Sequence, residues 1–354
     1  MKKGLLAAVL LFSGCSASDQ TDSSETAPAS SSSQTKVAAD NLEVPWTIAK
    51  QDESFFITER KGTIIQIDGD GKKKRMELQL NEPVLHEGEG GLLGFVLDDD
   101  FSKNKLAYAY HTYLKKGKIM NRIVQIKKQP DIWRETKELL ADIPGGPIHN
   151  GGRLAIGPDG KLFATAGDAG VKESAQDKQQ LAGKILRLNV DGSVPEDNPF
   201  NGSYVFSYGH RNPQGMAWDT DGTMYAAEHG QSAHDEINRI EAGKNYGWPL
   251  IEGEEHKAGM EAPLIHSGEE TWAPSGIAYS NGRLFIATLR GEKLLSLDLQ
   301  QKELTVPLEN AGRLRDVYVN GKYVYVATNN TDGRGTPSEE DDRLLILPND
   351  AASK

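Results

Sequence analysis

Four stretches of this chain concentrate the residue types that chemistry needs. The first runs from Pro147 to Asp168 and places His149 just before one apolar run, Leu154-Ala-Ile, and Asp168 at the end of the next, Leu162-Phe-Ala-Thr-Ala. Adjacent antiparallel strands would bring the two side chains to one edge. A carboxylate there fixes the tautomer of an imidazole and stabilises its charged form, as a general base requires. The same spacing also suits an ordinary structural hydrogen bond. The second stretch, Tyr208 to Trp218, holds Arg211 and Asn212 in a turn framed by Gly209 and Pro213. An arginine so placed would clamp an anionic or carbonyl oxygen, or else form a salt bridge between neighbouring units. The third, Glu228 to Glu236 followed by Gly243 to Pro249, is rich in glycine and carboxylates. Its oxygens suit a hard cation such as Ca²⁺. The fourth, Gly312-Arg-Leu-Arg-Asp316, puts Arg313 and Arg315 on one face of a strand. Two aligned guanidiniums suggest an anion, and exposed edge-strand charge is the alternative.

What must position these groups is a repeat. Six times a polar turn, usually Asp-Gly or Asn-Gly, leads into an apolar run, a loop and a second apolar run. The first runs follow Glu53, Asn104, Asp159, Asp221, Asn281 and Asn320; the second begin at Thr63, Arg122, Lys184, Glu236, Lys293 and Arg343. Each pair reads as a hairpin of half-buried strands, with Asp/Asn-Gly supplying the positive φ of a tight turn. Shorter runs such as Gly152-Arg-Leu-Ala-Ile and Gly276-Ile-Ala-Tyr supply inner strands, and no amphipathic helix of useful length appears. The expected fold is all-β, a six-bladed β-propeller with four-stranded antiparallel blades over residues 39–350. Function on such a fold concentrates in the loops at one end of the central channel.

Composition narrows the partners. There are 51 Asp and Glu against 40 Lys and Arg, a net charge of -11, which argues against a nucleic-acid surface. The chain opens Met1-Lys-Lys, runs apolar from Leu5 to Phe12 and reaches Ser13-Gly14-Cys15, the pattern of an export signal over residues 1–14. Cys15 is the sole cysteine and follows small residues, which resembles a bacterial lipobox with Phe12 in the usual leucine position. Lipid on its sulfur is the expectation. Residues 15–38, mostly Ser, Thr, Ala, Asp and Gln in their central part, read as a disordered tether. Together these predict an extracytoplasmic cell-membrane lipoprotein, held to the membrane by its lipid alone.

The loops also match a family in consecutive order. His149-Asn-Gly-Gly-Arg-Leu, Gly157-Pro-Asp-Gly, Gly209-His-Arg-Asn-Pro-Gln-Gly, Asp235-Glu-Ile-Asn and Asn245-Tyr-Gly-Trp-Pro resemble the glucose/sorbosone dehydrogenases, a quinoprotein family. Upstream, Val44-Pro-Trp46, Thr58-Glu-Arg60 and Gly90-Gly-Leu-Leu-Gly94 extend the resemblance, which covers residues 41 to 346. It implies oxidation of an aldose at its anomeric hydroxyl, with pyrroloquinoline quinone (PQQ) and Ca²⁺ as cofactors and an external electron acceptor. By the same resemblance His149 is the general base, Asp168 orients it, and Arg211 polarises the quinone oxygen. Asn212 supports the cofactor, Arg313 and Arg315 grip its carboxylates, and Arg290 stands in the place of a cofactor-binding lysine. The carbonyls of Gly230 and Gln231 correspond to ligands of a Ca²⁺ that touches PQQ. Glu236 and the Tyr246 carbonyl fall where some members bind a second Ca²⁺. Glu89 stands where the family commonly has Gln, adding a carboxylate beside an anionic cofactor. Gln231 replaces a more usual Pro, and the family's sugar-contacting aromatic has no clear match beyond Trp272. Two other readings remain open: a calcium-dependent propeller lactonase and a surface binding propeller without chemistry.

Overall fold

The structure is a computed structural model and describes residues 35–349 and residue 351. The export signal, Cys15 and nearly all of the expected tether lie outside the described residues. Strands dominate. The named helical segments are short: one turn of α-helix at Phe101–Asn104 and a 3-10 turn at Lys172–Ala175.

The strands fall into groups of four that are sequential, antiparallel hairpin chains. Pro45–Gln51, Ser54–Glu59, Thr63–Ile67 and Lys73–Gln79 form the first group, and Leu92–Leu97, Leu106–Lys115, Lys118–Lys128 and Ile132–Pro144 the second. A short parallel pairing of Glu77 to Gln79 with Ile132 to Arg134 joins these two groups into one eight-stranded sheet. The third group is Leu154–Ile156, Leu162–Ala166, Lys184–Leu188 and Val205–Tyr208. The fourth is Pro213–Trp218, Met224–Glu228, Glu236–Ile240 and Ile265–His266, and the fifth is Pro274–Ser280, Arg283–Thr288, Lys293–Asp298 and Leu304–Glu309. The last sheet takes Leu314–Asn320, Tyr323–Thr328 and Leu344–Pro348, and its outer strand comes from the other end of the chain, Lys36–Ala39. An all-β fold of four-stranded antiparallel sheets is consistent with a β-propeller.

The hairpins expected from the repeat are the second and third strands of each group, but they are not half-buried. Leu162–Ala166, Lys184–Leu188 and Met224–Glu228 are buried at every position. Each sheet packs between two others, so both of its faces meet apolar partners and the alternation of polar residues disappears. One interlayer core joins Phe163, Ile185, Met216 and Met224; the next joins Tyr225, Ile237, Ile277 and Leu284. The tether boundary expected at residue 38 also shifts. Residues 36–39 pair with Leu344–Pro348 and belong to the last sheet, because that strand's outer edge would otherwise be unpaired.

The first strands of the groups touch one another in a closed cycle: Pro45–Gln51 meets Leu92–Leu97, which meets Leu154–Ile156, and so on through Leu314–Asn320 back to Pro45–Gln51. The parts of those stretches that carry the chemistry, around His149, Asp168, Arg211, Gly230 and Arg313, sit at one end of this ring. They are loops that enter first strands or link second strands to third, joined by Trp248 of the long link from Glu236–Ile240 to Ile265–His266, which reaches Asp168. The Asp-Gly and Asn-Gly turns lie at the opposite end.

Candidate active site

His149 sits in the loop entering Leu154–Ile156 with φ +58°, a left-handed conformation rare for a residue with a side chain. Its backbone is pinned on both sides. The N–H donates to Glu89 Oε2 at 2.9 Å, and the carbonyl accepts from Ala169 N–H at 3.2 Å. Gly167 must be glycine, because a Cβ there would collide with the His149 carbonyl oxygen. The ring Nδ1 lies 2.7 Å from Asp168 Oδ1. That leaves Nε2 for the cavity that His149 lines, where its side chain keeps 13% exposure.

Asp168 is held as a carboxylate. Burial alone would raise its pKa, but the hydrogen bond from His149, the Gly170 N–H at 2.8 Å and the Trp248 indole N–H at 2.9 Å outweigh it and keep the carboxyl below its ordinary range. The Asp168 N–H in turn donates to the Arg211 carbonyl at 2.8 Å, tying the first two stretches together.

Arg211 has its own scaffold. Its N–H donates to Glu228 Oε1, while Glu228 Oε2 meets His210 Nδ1 at 2.8 Å and His210 Nε2 meets Ser207 Oγ at 2.8 Å. The guanidinium lies 5.4 Å from the Trp248 ring centroid and donates through Nη1 to the His229 carbonyl at 3.3 Å. Asn212 Oδ1 accepts the Gly151 N–H at 3.1 Å.

A cavity of about 440 Å³ collects these groups. Its lining includes Glu89, His149, Arg211, Gly230, Gln231, Arg290 and Arg313. A narrower space with Trp46, Arg60, Gln214, His229, Arg315 and Asp332 adjoins it through Glu89, His229, Leu289 and Arg334. Size alone does not mark the site. A cavity of about 460 Å³ is lined by the C-terminal halves of the same first strands and by none of His149, Asp168 or Arg211.

Polar atoms around the site are left over. Among the described residues, Arg211 Nε, Asn212 Nδ2, His229 Nε2 and Arg315 Nε are buried and meet no protein partner. Buried polar atoms without partners are costly; Arg211 and His229 line the main cavity and His229 and Arg315 the adjoining one, which marks a place for a polar ligand. Two of the four belong to guanidiniums. Arg315 is buried, its pKa pushed down to about 9 by loss of solvent and by neighbouring Arg60, and it donates to Gln214 Oε1 at 2.8 Å. Burial also lowers His229, to about 4, which keeps it neutral. Such a donor set fits a polyanionic, carbonyl-bearing cofactor.

Not every expected group behaves alike. Arg313 and Arg315 are not exposed edge charge: both are buried, and Arg313 is already paired with Asp332 at 2.9 Å. Arg290 is exposed at the cavity wall. Gly230 and Gln231 line the main cavity and spend their N–H groups on Asp235 and Glu252. Glu236 and Tyr246 do not line the main cavity; they line a small pocket with Glu228, Gly230 and Glu252, so Gly230 borders both spaces. There burial and the charge of Glu228 push Glu236 up to about 8. Trp272 packs into the core between the fourth and fifth groups, so register turns it away from the cavity. Arg60, His229, Trp248 and Arg334 went unassigned in the sequence. The first three stand inside quoted motifs, whereas Arg334, in a turn after Tyr323–Thr328, carries no signal.

Comparison with known proteins agrees with this geometry. The family model Glucose / Sorbosone dehydrogenase matches residues 42–344. Quinoprotein glucose dehydrogenase B of Acinetobacter calcoaceticus is 35% identical over 258 residues, 63% of this chain and 54% of that protein, so the chain spans about half of its length. An aldose sugar dehydrogenase of Escherichia coli is 29% identical over 84% of this chain and 90% of its own. The PQQ-bound structure of aldose sugar dehydrogenase from Streptomyces coelicolor superposes with a TM-score of 0.83 at 39% identity, covering 89% of this chain and 98% of that one. The chain belongs to the glucose/sorbosone dehydrogenase family.

Proposed function

We propose that this protein is a six-bladed β-propeller that oxidises aldose sugars at the anomeric hydroxyl to the lactone, with PQQ and Ca²⁺ bound at the ring end that carries His149. The closed cycle of first strands supports six blades. The observation that carries the chemistry is the His149–Asp168 contact of 2.7 Å beside the unpartnered donors of Arg211, Asn212 and Arg315.

Bound PQQ supplies the two-electron acceptor that oxidation of the anomeric carbon needs. His149 Nε2 takes the hydroxyl proton, because Nδ1 is committed to Asp168. The Asp168 carboxylate stabilises the imidazolium that results, and its bond from Trp248 keeps it aimed. Arg211 holds positive charge where negative charge gathers. Arg315 and Arg313 would hold carboxylates of the cofactor, with Asn212 supporting it and Arg290 at the rim. The Gly230 and Gln231 carbonyls would hold Ca²⁺, a Lewis acid for the quinone. Glu236 would ligate a second ion with the Tyr246 carbonyl: a buried carboxyl disfavoured as an anion is a group that a divalent cation relieves. An external acceptor would take up the two electrons. Cys15 would carry the lipid that holds the protein outside the cytoplasm.

The lactonase reading needs a metal cage of side-chain carboxylates and amides. Among the described residues no trio of His, Cys, Asp and Glu is arranged to hold a metal. The test of the dehydrogenase reading is dye reduction by the full chain with a panel of aldoses. Turnover should require PQQ and Ca²⁺ together and collapse in His149→Ala. Turnover unaffected by that substitution would sink the assignment, and saturable PQQ binding without turnover on any sugar would favour a binding role.

A further inference from the structure

One charged pair at the site has no part in the function above. Glu89 spends Oε2 on the His149 N–H, and its Oε1 lies 3.0 Å from Arg334 Nη1. Both residues line both cavities, and the Glu89 side chain is only 20% exposed while that of Arg334 is 56% exposed. Burial works against charge on Glu89, yet the His149 N–H and the Arg334 guanidinium hold its carboxyl below the ordinary range. It is therefore an anion at neutral pH, set among guanidiniums that suit an anionic ligand.

Arg334 is placed by a turn that serves two charges at once. Asp332 Oδ1 accepts the Arg334 N–H at 2.9 Å, and Asp332 Oδ2 takes Arg313 Nη2 at 2.9 Å and Asn329 Nδ2 at 2.9 Å. The turn thus delivers a carboxylate to Arg313 and a guanidinium to Glu89. Removing Arg334 would leave the Glu89 charge facing the ligand space. Repulsion between like charges a few ångströms apart in partly desolvated surroundings is large enough to change affinity about tenfold.

We propose that Arg334 is a charge-balancing residue of the cofactor site: it neutralises Glu89, so that an anionic quinone can bind beside His149 although a carboxylate stands there. The inference rests on the PQQ reading above. It assigns Arg334 a role in cofactor affinity, and none in proton transfer.

The test is a titration of the full chain with PQQ at fixed Ca²⁺ and without sugar, followed by quenching of tryptophan fluorescence. Wild type, Arg334→Ala, Arg334→Lys, Glu89→Gln and the Glu89→Gln/Arg334→Ala double variant are compared, and thermal melting confirms that each is folded. Arg334→Ala should weaken binding about tenfold, and Arg334→Lys should retain most of it. In the double variant the affinity should return to about that of Glu89→Gln alone, a rescue that loss of a merely structural arginine would not give. Unchanged affinity in Arg334→Ala, or a double variant as weak as Arg334→Ala, overturns the inference while leaving the cofactor reading intact. Absence of saturable PQQ binding to the wild-type chain overturns both.

Discussion

Trp248 donates its indole N–H to Asp168 Oδ2 at 2.9 Å while its ring lies beneath the Arg211 guanidinium. One side chain therefore sets the orientation of the carboxylate that holds the base and supports the cation next to it. In Trp248→Phe the ring remains but the donor is lost. The expected outcome is a fall in kcat of about tenfold, the worth of one hydrogen bond to a charged group, with KM for the sugar little changed. Steady-state kinetics decide it; a variant with wild-type kcat would show that Asp168 needs no help from Trp248.

Asp168→Asn keeps the shape of the site and removes the charge opposite His149. We expect kcat to drop by about two to four orders of magnitude, as when the carboxylate behind a histidine base is replaced. PQQ affinity, read by fluorescence titration, should stay within about threefold. A loss confined to PQQ binding would mean that Asp168 serves the cofactor instead.

Glu236 carries the second-ion proposal. Added Ca²⁺ should raise the melting temperature, since a ligand at a hundred times its dissociation constant contributes about 3 kcal/mol. The rise should be clearly smaller in Glu236→Gln, by differential scanning fluorimetry with and without chelator. Equal shifts in the two proteins would leave Glu236 without a metal role.

His111 is fully buried on Leu106–Lys115, far along the chain from the site, and its Nε2 accepts from Arg122 Nε at 2.9 Å. Burial, then the charge of Arg122, lowers its pKa to about 3. The unfolded chain takes a proton near pH 6.5 and the folded chain does not, so stability is lost as pH falls from about 6.5 towards 3. By pH 5 this amounts to about 2 kcal/mol. His111→Gln keeps an acceptor for Arg122 but cannot titrate, so its melting temperature should fall less steeply over this range. Parallel curves for the two proteins would exclude His111 as the titrating group.

Deleting residues up to Ala39 removes the outer strand of the last sheet and uncovers Leu344–Pro348. A loss of roughly 5 °C in melting temperature is expected, with an unchanged preference among sugars in the dye assay. No loss of stability would mean that Lys36–Ala39 adds nothing to the sheet.

The repeat was legible because hairpin turns and apolar runs are local: all six expected hairpins stand where Asp-Gly, Asn-Gly or a similar polar pair announced them. Burial on both faces was not, since it depends on how neighbouring sheets stack. His149, Asp168, Arg211 and Asn212 were readable from loop chemistry, and the structure brings them together. The pairing of Arg313 with Asp332, and the rotation of Trp272 into the core, depend on register and on a distant turn. Arg334 shows the limit most clearly. It lies 245 positions from Glu89 in sequence, and a lone arginine in a Gly-rich turn reads as solvated surface.

The closure of the last sheet has a consequence for the order of events during folding. Lys36–Ala39 is made well before its partner Leu344–Pro348, since all the other strands of the ring lie between them in sequence. Until then the ring stays open, with an unpaired strand at each end of a growing arc. Such edges are aggregation hazards, and pairings this distant in sequence form slowly. Lys36–Ala39 and Leu344–Pro348 should therefore be the last to gain protection from hydrogen exchange on refolding, and a chain permuted so that these two strands are adjacent in sequence should refold faster.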